Sequence, residues 1–503
     1  MNGNLYALFE SRFPADRESV LLEDEHGRRY TFNDLDAATA RLAACLSGIG
    51  VKPGDRVAAQ IEKSPQGLFL YLACLRAGFV WLPLNTAYQS AEVEYFLGNA
   101  EPAAVIAQTK AMPWMAPLCA KLGIGNLLTL DEAGAGTLME AAQDAPATFA
   151  VVQREDNDLA AILYTSGTTG RSKGAMITHR NLASNALALH QTWGFRPGDV
   201  LLHTLPLFHV HGLFVACHCA LLNGGRMIFH SRFDAIAVMR ALPRATVFMG
   251  VPTYYVRLLS EAAFGPTQTA NVRLFISGSA PLLMETFESF KARTGQVILE
   301  RYGMTETGMI TSNPLEGERK AGTVGPPLPG VSVRIVGADM QTLPAGEVGE
   351  ILVKGDNVLP GYWRMPEKNA EEFTPDGYFK TGDVGRIDAD GYVSIVGRSK
   401  DLVITGGYNV YPKEIELLLD EMPGVAESAV IGVPHPDFGE AVTAVVVQKP
   451  GAAPIVEADV IAELKTQLAN FKVPKRVHVV SDLPRNAMGK VQKNVLRQQY
   501  GKT

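Results

Sequence analysis

The sequence predicts an α/β protein: a large N-terminal domain of αβ-layered sheets with a small β-rich subdomain, followed by a mobile α+β C-terminal lid domain. Three observations carry this. Apolar strand-like runs alternate with helical patterns through most of the chain, short strands with turn signals crowd residues 343–397, and the pattern changes again after Asp401. At 503 residues, against roughly 100–200 per domain, two or more folding units are required.

In chain order, residues 55–61 read as a strand and 65–77 as a helix. Residues 159–165, 245–250 and 272–277 read as further buried strands. In the small subdomain, Gly346, Asp376-Gly377 and Asp390-Gly391 mark turns between the short strands 349–354 and 392–396. Beyond it come a helix at 413–421, strands at 429–433 and 441–448, a helix at 457–468, a strand at 477–480 and a basic tail. The longest apolar stretch, 206–222, holds His209, His211 and His218 and is shorter than the roughly 20 clean apolar residues that a membrane span needs.

Lys plus Arg number 46 and Asp plus Glu 52, a net charge of −6. That mild acidity argues against binding nucleic acid by bulk charge. The five cysteines (Cys45, Cys74, Cys119, Cys217, Cys219) lack metal-ligand spacing and read as core thiols of a reducing compartment. With no basic start followed by an apolar run at residues 1–12, a cytoplasmic protein is expected, or a matrix protein after loss of a leader.

The sharpest local feature is Tyr164-Thr165-Ser166-Gly167-Thr168-Thr169-Gly170-Arg171-Ser172-Lys173-Gly174, directly after a strand. Glycines let backbone N–H groups approach an anion, hydroxyls add donors and Lys173 adds charge, a combination suited to a polyphosphate. The loop is not a Walker A motif, because Ser172 precedes and Gly174 follows the lysine. Taken alone, such a cluster is equally an ordinary surface loop.

This string resembles the phosphate loop of the adenylate-forming superfamily, which includes acyl-CoA synthetases, adenylation domains and firefly-type luciferases. Further matches follow in the superfamily's order: Gly54-Asp55-Arg56-Val57, Ser277-Gly278-Ser279-Ala280-Pro281, Tyr302-Gly303-Met304-Thr305-Glu306, Thr381-Gly382-Asp383, Gly397-Arg398-Ser399-Lys400-Asp401 and Pro484-Arg485-Asn486-Ala487-Met488-Gly489-Lys490. The resemblance implies activation of a carboxylate by ATP to an acyl-AMP, with Mg²⁺ and cationic side chains offsetting the repulsion between like-charged reactants. Glu306 then ligates the metal and Thr305 contacts the α-phosphate. Thr165, Ser166, Gly167, Thr168, Thr169, Gly170 and Lys173 hold the phosphates. Ser279, Ala280, Pro281, Tyr302 and Gly303 line the nucleotide, and Asp383 and Arg398 take the ribose hydroxyls. Lys490 bridges carboxylate and phosphate during adenylation and is carried off when the lid rotates about Lys400, while Gly406 and Gly407 approach coenzyme A. The resemblance divides the chain at 1–398 and 399–503. Lys493 and Arg497 are expected on a solvated face, and acetylation of Lys490 by a lysine acetyltransferase is expected to stop the first half-reaction only.

For the acid itself, His209 is assigned to the acyl or α-phosphate side and His211 to structure. Arg301 precedes Tyr302 at the border of the acyl site, where many relatives taking apolar acids carry an uncharged residue. A buried guanidinium needs an anion, and a second substrate carboxylate supplies one. Arg257 is a second candidate, equally suited to solvent or a CoA phosphate. Ser277 and Met304 shape the space around a short chain or simply pack. The segments around Arg301, Arg257 and Thr165 resemble the branch that joins malonate, and often methylmalonate, to coenzyme A. Alternatives are a synthetase for another short or medium-chain acid, an enzyme loading a separate carrier protein, and a non-catalytic nucleotide sensor.

Overall fold

The computed structural model describes residues 2–165, 172–405, 408–486 and 489–501. Four sheets organise it. In the six-stranded sheet the order runs Leu127–Thr129, Ala104–Ala107, Arg56–Gln60, Val80–Pro83, Leu159–Thr165 and Lys173–Thr178, parallel except for the last strand. An eight-stranded sheet runs Gly308–Ser312, Ile298–Met304, Leu274–Ser277, Val247–Gly250, Val200–His203, Arg226–Phe229, Val20–Asp24 and Arg29–Thr31, with antiparallel pairing only at its two ends. The parallel strands Val80–Pro83, Ala104–Ala107, Val247–Gly250 and Leu274–Ser277 are buried at every position. Strands covered on both faces read as unbroken apolar runs for this reason.

The helix Pro65–Ala77 is buried along its whole length. An apolar circumference commits a helix to the interior rather than to a surface. Its ends are set locally: the Ser64 hydroxyl accepts from the Gly67 N–H, Pro65 occupies the first turn, and Gly78 ends the helix at φ 71°. The same helix shares one apolar core with residues of both large sheets, among them Leu22, Val57, Leu163 and Leu299.

A third, antiparallel sheet is made by Ser332–Val336, Gly349–Lys354, Phe379–Ile387 and Val393–Arg398. The β-rich subdomain therefore begins earlier than the expected residue 343, because Ser332–Val336 pairs along Gly349–Lys354 over its full length. The fourth sheet draws its strands from Val403–Thr405 to Arg476–Val480, with Val425–His435 and Gly439–Gln448 as its long central hairpin. Residues 493–500, read from sequence as a basic tail, form the helix Lys493–Tyr500. Its Leu496 is buried against Ala429 and Ile431, and Tyr500 packs on the same cluster and stacks on His478, so apolar anchoring fixes a largely polar segment.

The apolar stretch at 206–222 folds inward as a π-helix, His211–Cys217, continued by the helix His218–Leu222. No helix among the described residues is long and apolar enough to cross a membrane. All five cysteines are buried and unpaired, and burial raises the pKa of each thiol.

Candidate active site

The site forms at the carboxyl ends of parallel strands, where open α/β sheets characteristically place ligands. Leu274–Ser277 delivers Gly278 and Ser279, Val200–His203 leads to the segment with His209 and His211, and Ile298–Met304 delivers Arg301 to Glu306. Ser279 takes up φ 71°. A non-glycine residue there costs of order 1 kcal/mol or more, a strain commonly kept at functional positions. Gly303 is required sterically: a Cβ at this position would lie 2.2 Å from the Gly308 carbonyl oxygen. Ala280 is half-buried and Pro281 exposed beyond the strand end.

Where the nucleotide is expected, Asp383 and Arg398 sit opposite each other on neighbouring antiparallel strands. The Arg398 Nε donates to an Asp383 oxygen at 2.8 Å, and the Tyr302 hydroxyl donates to the other carboxylate oxygen. Three residues distant in sequence thus join the eight-stranded sheet to the small subdomain. Burial first, then Asp383, drives the Tyr302 phenol well above its ordinary pKa, so it stays a donor. Thr305 is half-buried in the turn after its strand.

Glu306 is buried, with 6% exposure, and burial raises its carboxyl pKa. Its Oε1 accepts from the Tyr362 hydroxyl at 3.1 Å. Lys173 lies over the Tyr362 ring, 4.1 Å from its centre, and donates to Glu372 at 3.0 Å. Tyr362 therefore connects the lysine that closes the phosphate loop to the acidic residue. Sequence reading missed it, although Gly361 marked it: a Cβ there would lie 2.5 Å from the Asn369 side chain, whose Oδ1 accepts from the Tyr362 N–H at 2.6 Å. Thr165 and Lys173 flank the loop, with the Thr165 hydroxyl donating to the Lys173 carbonyl at 3.4 Å. Ser166, Gly167, Thr168, Thr169 and Gly170, like Gly406 and Gly407, lie outside the described residues.

Arg301, expected to border the acyl site, is 4% exposed. Its guanidinium packs on Gly278, where a Cβ would lie 2.4 Å from the Arg301 Cζ. Its Nε and Nη2 have no partner among the described residues, and neither have the Ser277 hydroxyl and the His211 Nε2. Burial pushes Arg301 down to about 9. His211 Nδ1 stands 3.2 Å from the Ser279 hydroxyl, and His209 Nδ1 accepts from the His211 N–H at 3.3 Å. Burial and neighbouring cations hold both imidazoles neutral: His209 is pushed down to about 3, with Lys490 and Arg301 adding to the effect of burial. Buried polar groups left without partners are rare enough to need a reason, and here several gather around one cation. Met304 packs half-buried against the main core. Arg257, by contrast, lies on the exposed side of the helix Pro252–Ser260, whose Tyr255 is buried. It therefore does not share the enclosed position of Arg301.

The C-terminal unit brings Lys490 to this place. Lys490 as a whole residue is exposed, but its ammonium reaches in among Arg398, Asp383, Glu306 and Arg301, where desolvation first and Arg398 next lower its pKa. The Lys490 N–H donates to the Asn486 side chain at 3.0 Å, and Gly489 adopts φ 74°. Lys449 contacts both oxygens of Glu285 at 2.9 Å across the two units. Lys400 lies in the 3-10 turn Ser399–Asp401 and is pushed down to about 8 by burial and Arg398. Lys493 and Arg497, expected on a solvated face, are instead ion-paired, to Glu416 at 2.5 Å and to Asp401 at 2.7 Å. The helix that carries them turns both inward along the lid.

Residues 9–363 match the AMP-binding enzyme family and residues 414–490 the AMP-binding enzyme C-terminal domain. Feruloyl-CoA synthase of Amycolatopsis is 38% identical over 94% of this chain and 95% of its own length. A malonate–CoA ligase of Arabidopsis thaliana is 34% identical over 99% of this chain and 89% of its own. Among solved structures, ATP-bound MatB from Rhodopseudomonas palustris superposes with a TM-score of 0.97 at 54% identity, covering 100% of this chain and 99% of that one. The apo form of MatB gives 0.87 at the same identity and coverage. With both domains matched in order, the chain belongs to the family of AMP-binding enzymes.

Proposed function

We propose that the protein is an acid–thiol ligase that joins malonate, and also methylmalonate, to coenzyme A through an acyl-adenylate, forming malonyl-CoA, AMP and pyrophosphate. The observation that carries this is the buried Arg301 guanidinium, two of whose N–H-bearing nitrogens have no partner among the described residues. An uncompensated internal charge costs several kcal/mol, and the distal carboxylate of a short diacid supplies the planar, bidentate partner that a guanidinium fits. The malonate–CoA ligases among the relatives support it.

In this scheme the proximal carboxylate attacks the α-phosphorus of ATP and pyrophosphate leaves. Lys490 and Thr305 face the charge that develops there, His209 borders the reacting carboxylate, and Tyr302 stacks on the adenine while Asp383 and Arg398 hold the ribose. Ser277 and Met304 bound the short chain. Glu306 suits a divalent cation: it is a desolvated carboxylate that accepts from the Tyr362 phenol. One carboxylate plus phosphate oxygens is the donor set Mg²⁺ prefers. Bound there, Mg²⁺ would neutralise charge on the phosphates.

For the second step the thiol of coenzyme A attacks the mixed anhydride and AMP leaves. We place the domain boundary at 398/399 and the pivot at Lys400, with Gly406 and Gly407 as the backbone that meets the thiol arm. The higher TM-score to ATP-bound than to apo MatB accords with a lid set for adenylation, in keeping with Lys490 standing among Glu306, Asp383 and Arg301. Lys490 acetylation by a lysine acetyltransferase, and a cytoplasmic setting suited to five unpaired thiols, belong to the same proposal.

The 38% identical feruloyl-CoA synthase favours an aromatic acid as the second reading. A ferulate side chain has no second carboxylate and would leave Arg301 unpaired. The test is AMP release with ATP, Mg²⁺ and CoA over malonate, methylmalonate, succinate, acetate, butyrate and ferulate. Preference for malonate or methylmalonate is expected; preference for a monocarboxylate refutes the diacid.

A further inference from the structure

Behind the acyl site lies a buried polar chain that no catalytic step uses. Lys63 follows a strand of the six-stranded sheet and is 8% exposed. Its ammonium lies 2.7 Å from His203 Nδ1 and 3.0 Å from the His203 carbonyl oxygen, with the Phe229 ring face 4.3 Å away. His203 ends a strand of the eight-stranded sheet, and its Nε2 is 2.8 Å from the Gly212 carbonyl and 3.3 Å from Cys217 Sγ. Burial and the Lys63 charge drive the His203 pKa well down, so the ring is neutral. The partners assign its tautomer: Nδ1 accepts from Lys63 and Nε2–H donates to the Gly212 carbonyl.

Gly212 is pinned on its other side as well, since a Cβ there would lie 2.0 Å from the Pro206 carbonyl oxygen. The compact segment 206–212 carries His209 and His211, and Gly212 stands in the first turn of the π-helix. A π-helix displaces the regular backbone pairing and is used at functional sites. Gly212 is therefore a point where an outside donor can fix the segment's position. Among the described residues no carboxylate lies at hydrogen-bond distance from Lys63, which is pushed down to about 7 by burial. A cation held there at that cost marks a geometric requirement rather than a gain in stability.

We propose that Lys63 is a positioning residue of the acyl site, acting through His203 on the Gly212 carbonyl to hold His209 and His211 in place beside Arg301. The proposal rests on the assignment of the acid to that site.

The test compares wild type, Lys63→Met, His203→Phe, His203→Gln and the Lys63→Met/His203→Phe double variant. Steady-state AMP release is measured with malonate and ATP varied in turn, and thermal unfolding is recorded for each. Methionine keeps the volume of Lys63 without its donors, and glutamine retains an acceptor and a donor where phenylalanine has neither. Expected for Lys63→Met and His203→Phe are rises of about tenfold in KM for malonate, the scale of one lost buried hydrogen bond, with KM for ATP unchanged and no fall in the melting temperature. His203→Gln keeps a nearly normal KM, and the double variant is no worse than either single one, because both break one chain. A wild-type KM for malonate in Lys63→Met overturns the inference. So does a parallel rise in KM for ATP with a lowered melting temperature. If the wild type prefers another acid, the diacid assignment fails instead, and the same comparison on the preferred acid still decides the role of Lys63.

Discussion

Replacing Arg301 by methionine should make the empty enzyme more stable and the enzyme nearly useless for malonate. The guanidinium is buried, lacks partners at two nitrogens among the described residues, and is pushed down to about 9. Such a fall corresponds to a penalty on the order of 4 kcal/mol for holding the charge in the folded chain. Below about pH 9 the group is charged in both folded and unfolded states, so the penalty is paid in full at pH 7 and is relieved only as pH rises through 9. Methionine fills much of the volume and carries no charge, so melting at pH 7 should move upward. Binding should move the other way. Two charge-assisted hydrogen bonds to a carboxylate are worth roughly 3–5 kcal/mol before desolvation, so kcat/KM for malonate should fall by about 10²–10³-fold. Turnover of acetate or butyrate should be unchanged or improved. Thermal unfolding with and without malonate, and AMP release over both acid classes, provide the readouts. Malonate should raise the melting temperature of the wild type and leave that of the variant unmoved. A variant that loses diacid and monocarboxylate turnover equally, or that melts lower without substrate, would refute the reasoning.

Further outcomes follow from individual environments. Lys490→Ala should abolish malonate-dependent pyrophosphate release yet still convert supplied malonyl-AMP and CoA to thioester; loss of both activities would contradict a role confined to adenylation. Met304→Ala should extend turnover to larger 2-substituted malonates, and an unchanged substrate profile would remove Met304 from the pocket wall. Tyr362→Phe removes the donor to Glu306 and should alter the Mg²⁺ concentration for half-maximal rate by several-fold, about the value of one hydrogen bond, measured by metal titration at saturating ATP. Glu300 is pushed up to about 8, chiefly by burial. Its raised pKa contributes stability that is complete below about pH 4.5 and is lost as pH rises through 8. Glu300→Gln should therefore gain stability over wild type by up to a few kcal/mol between pH 5 and 9, and denaturant unfolding across that range would show the widening gap.

Local chemistry made some elements readable with their bounds. The helix Pro65–Ala77 and the strand Leu159–Thr165 form where expected, because Ser64-Pro65 and Gly78 act within one turn of chain and the strand's interior, Ala160–Tyr164, is an unbroken buried run. Where anchoring is remote, reading failed. The helix Lys493–Tyr500 depends on Leu496 meeting Ala429 and Ile431, and the ion pairs of Lys493 and Arg497 reach back 77 and 96 residues. The strand Ser332–Val336 became visible only through its pairing with Gly349–Lys354.

The same division runs through the site. Ordered motifs around Thr165, Glu306, Asp383, Arg398 and Lys490 identified an AMP-binding enzyme, since chemistry on a nucleotide needs particular side chains within short, contiguous segments. A buried Arg301 was expected from the sequence, but that Arg257 lies exposed, that Tyr362 joins Lys173 to Glu306 and that Lys63 meets His203 were inaccessible to one-dimensional reading. Burial and hydrogen bonding between groups 56 to 140 residues apart arise from the packing of sheets. An isolated stretch of chain carries no record of which distant surface will remove it from water.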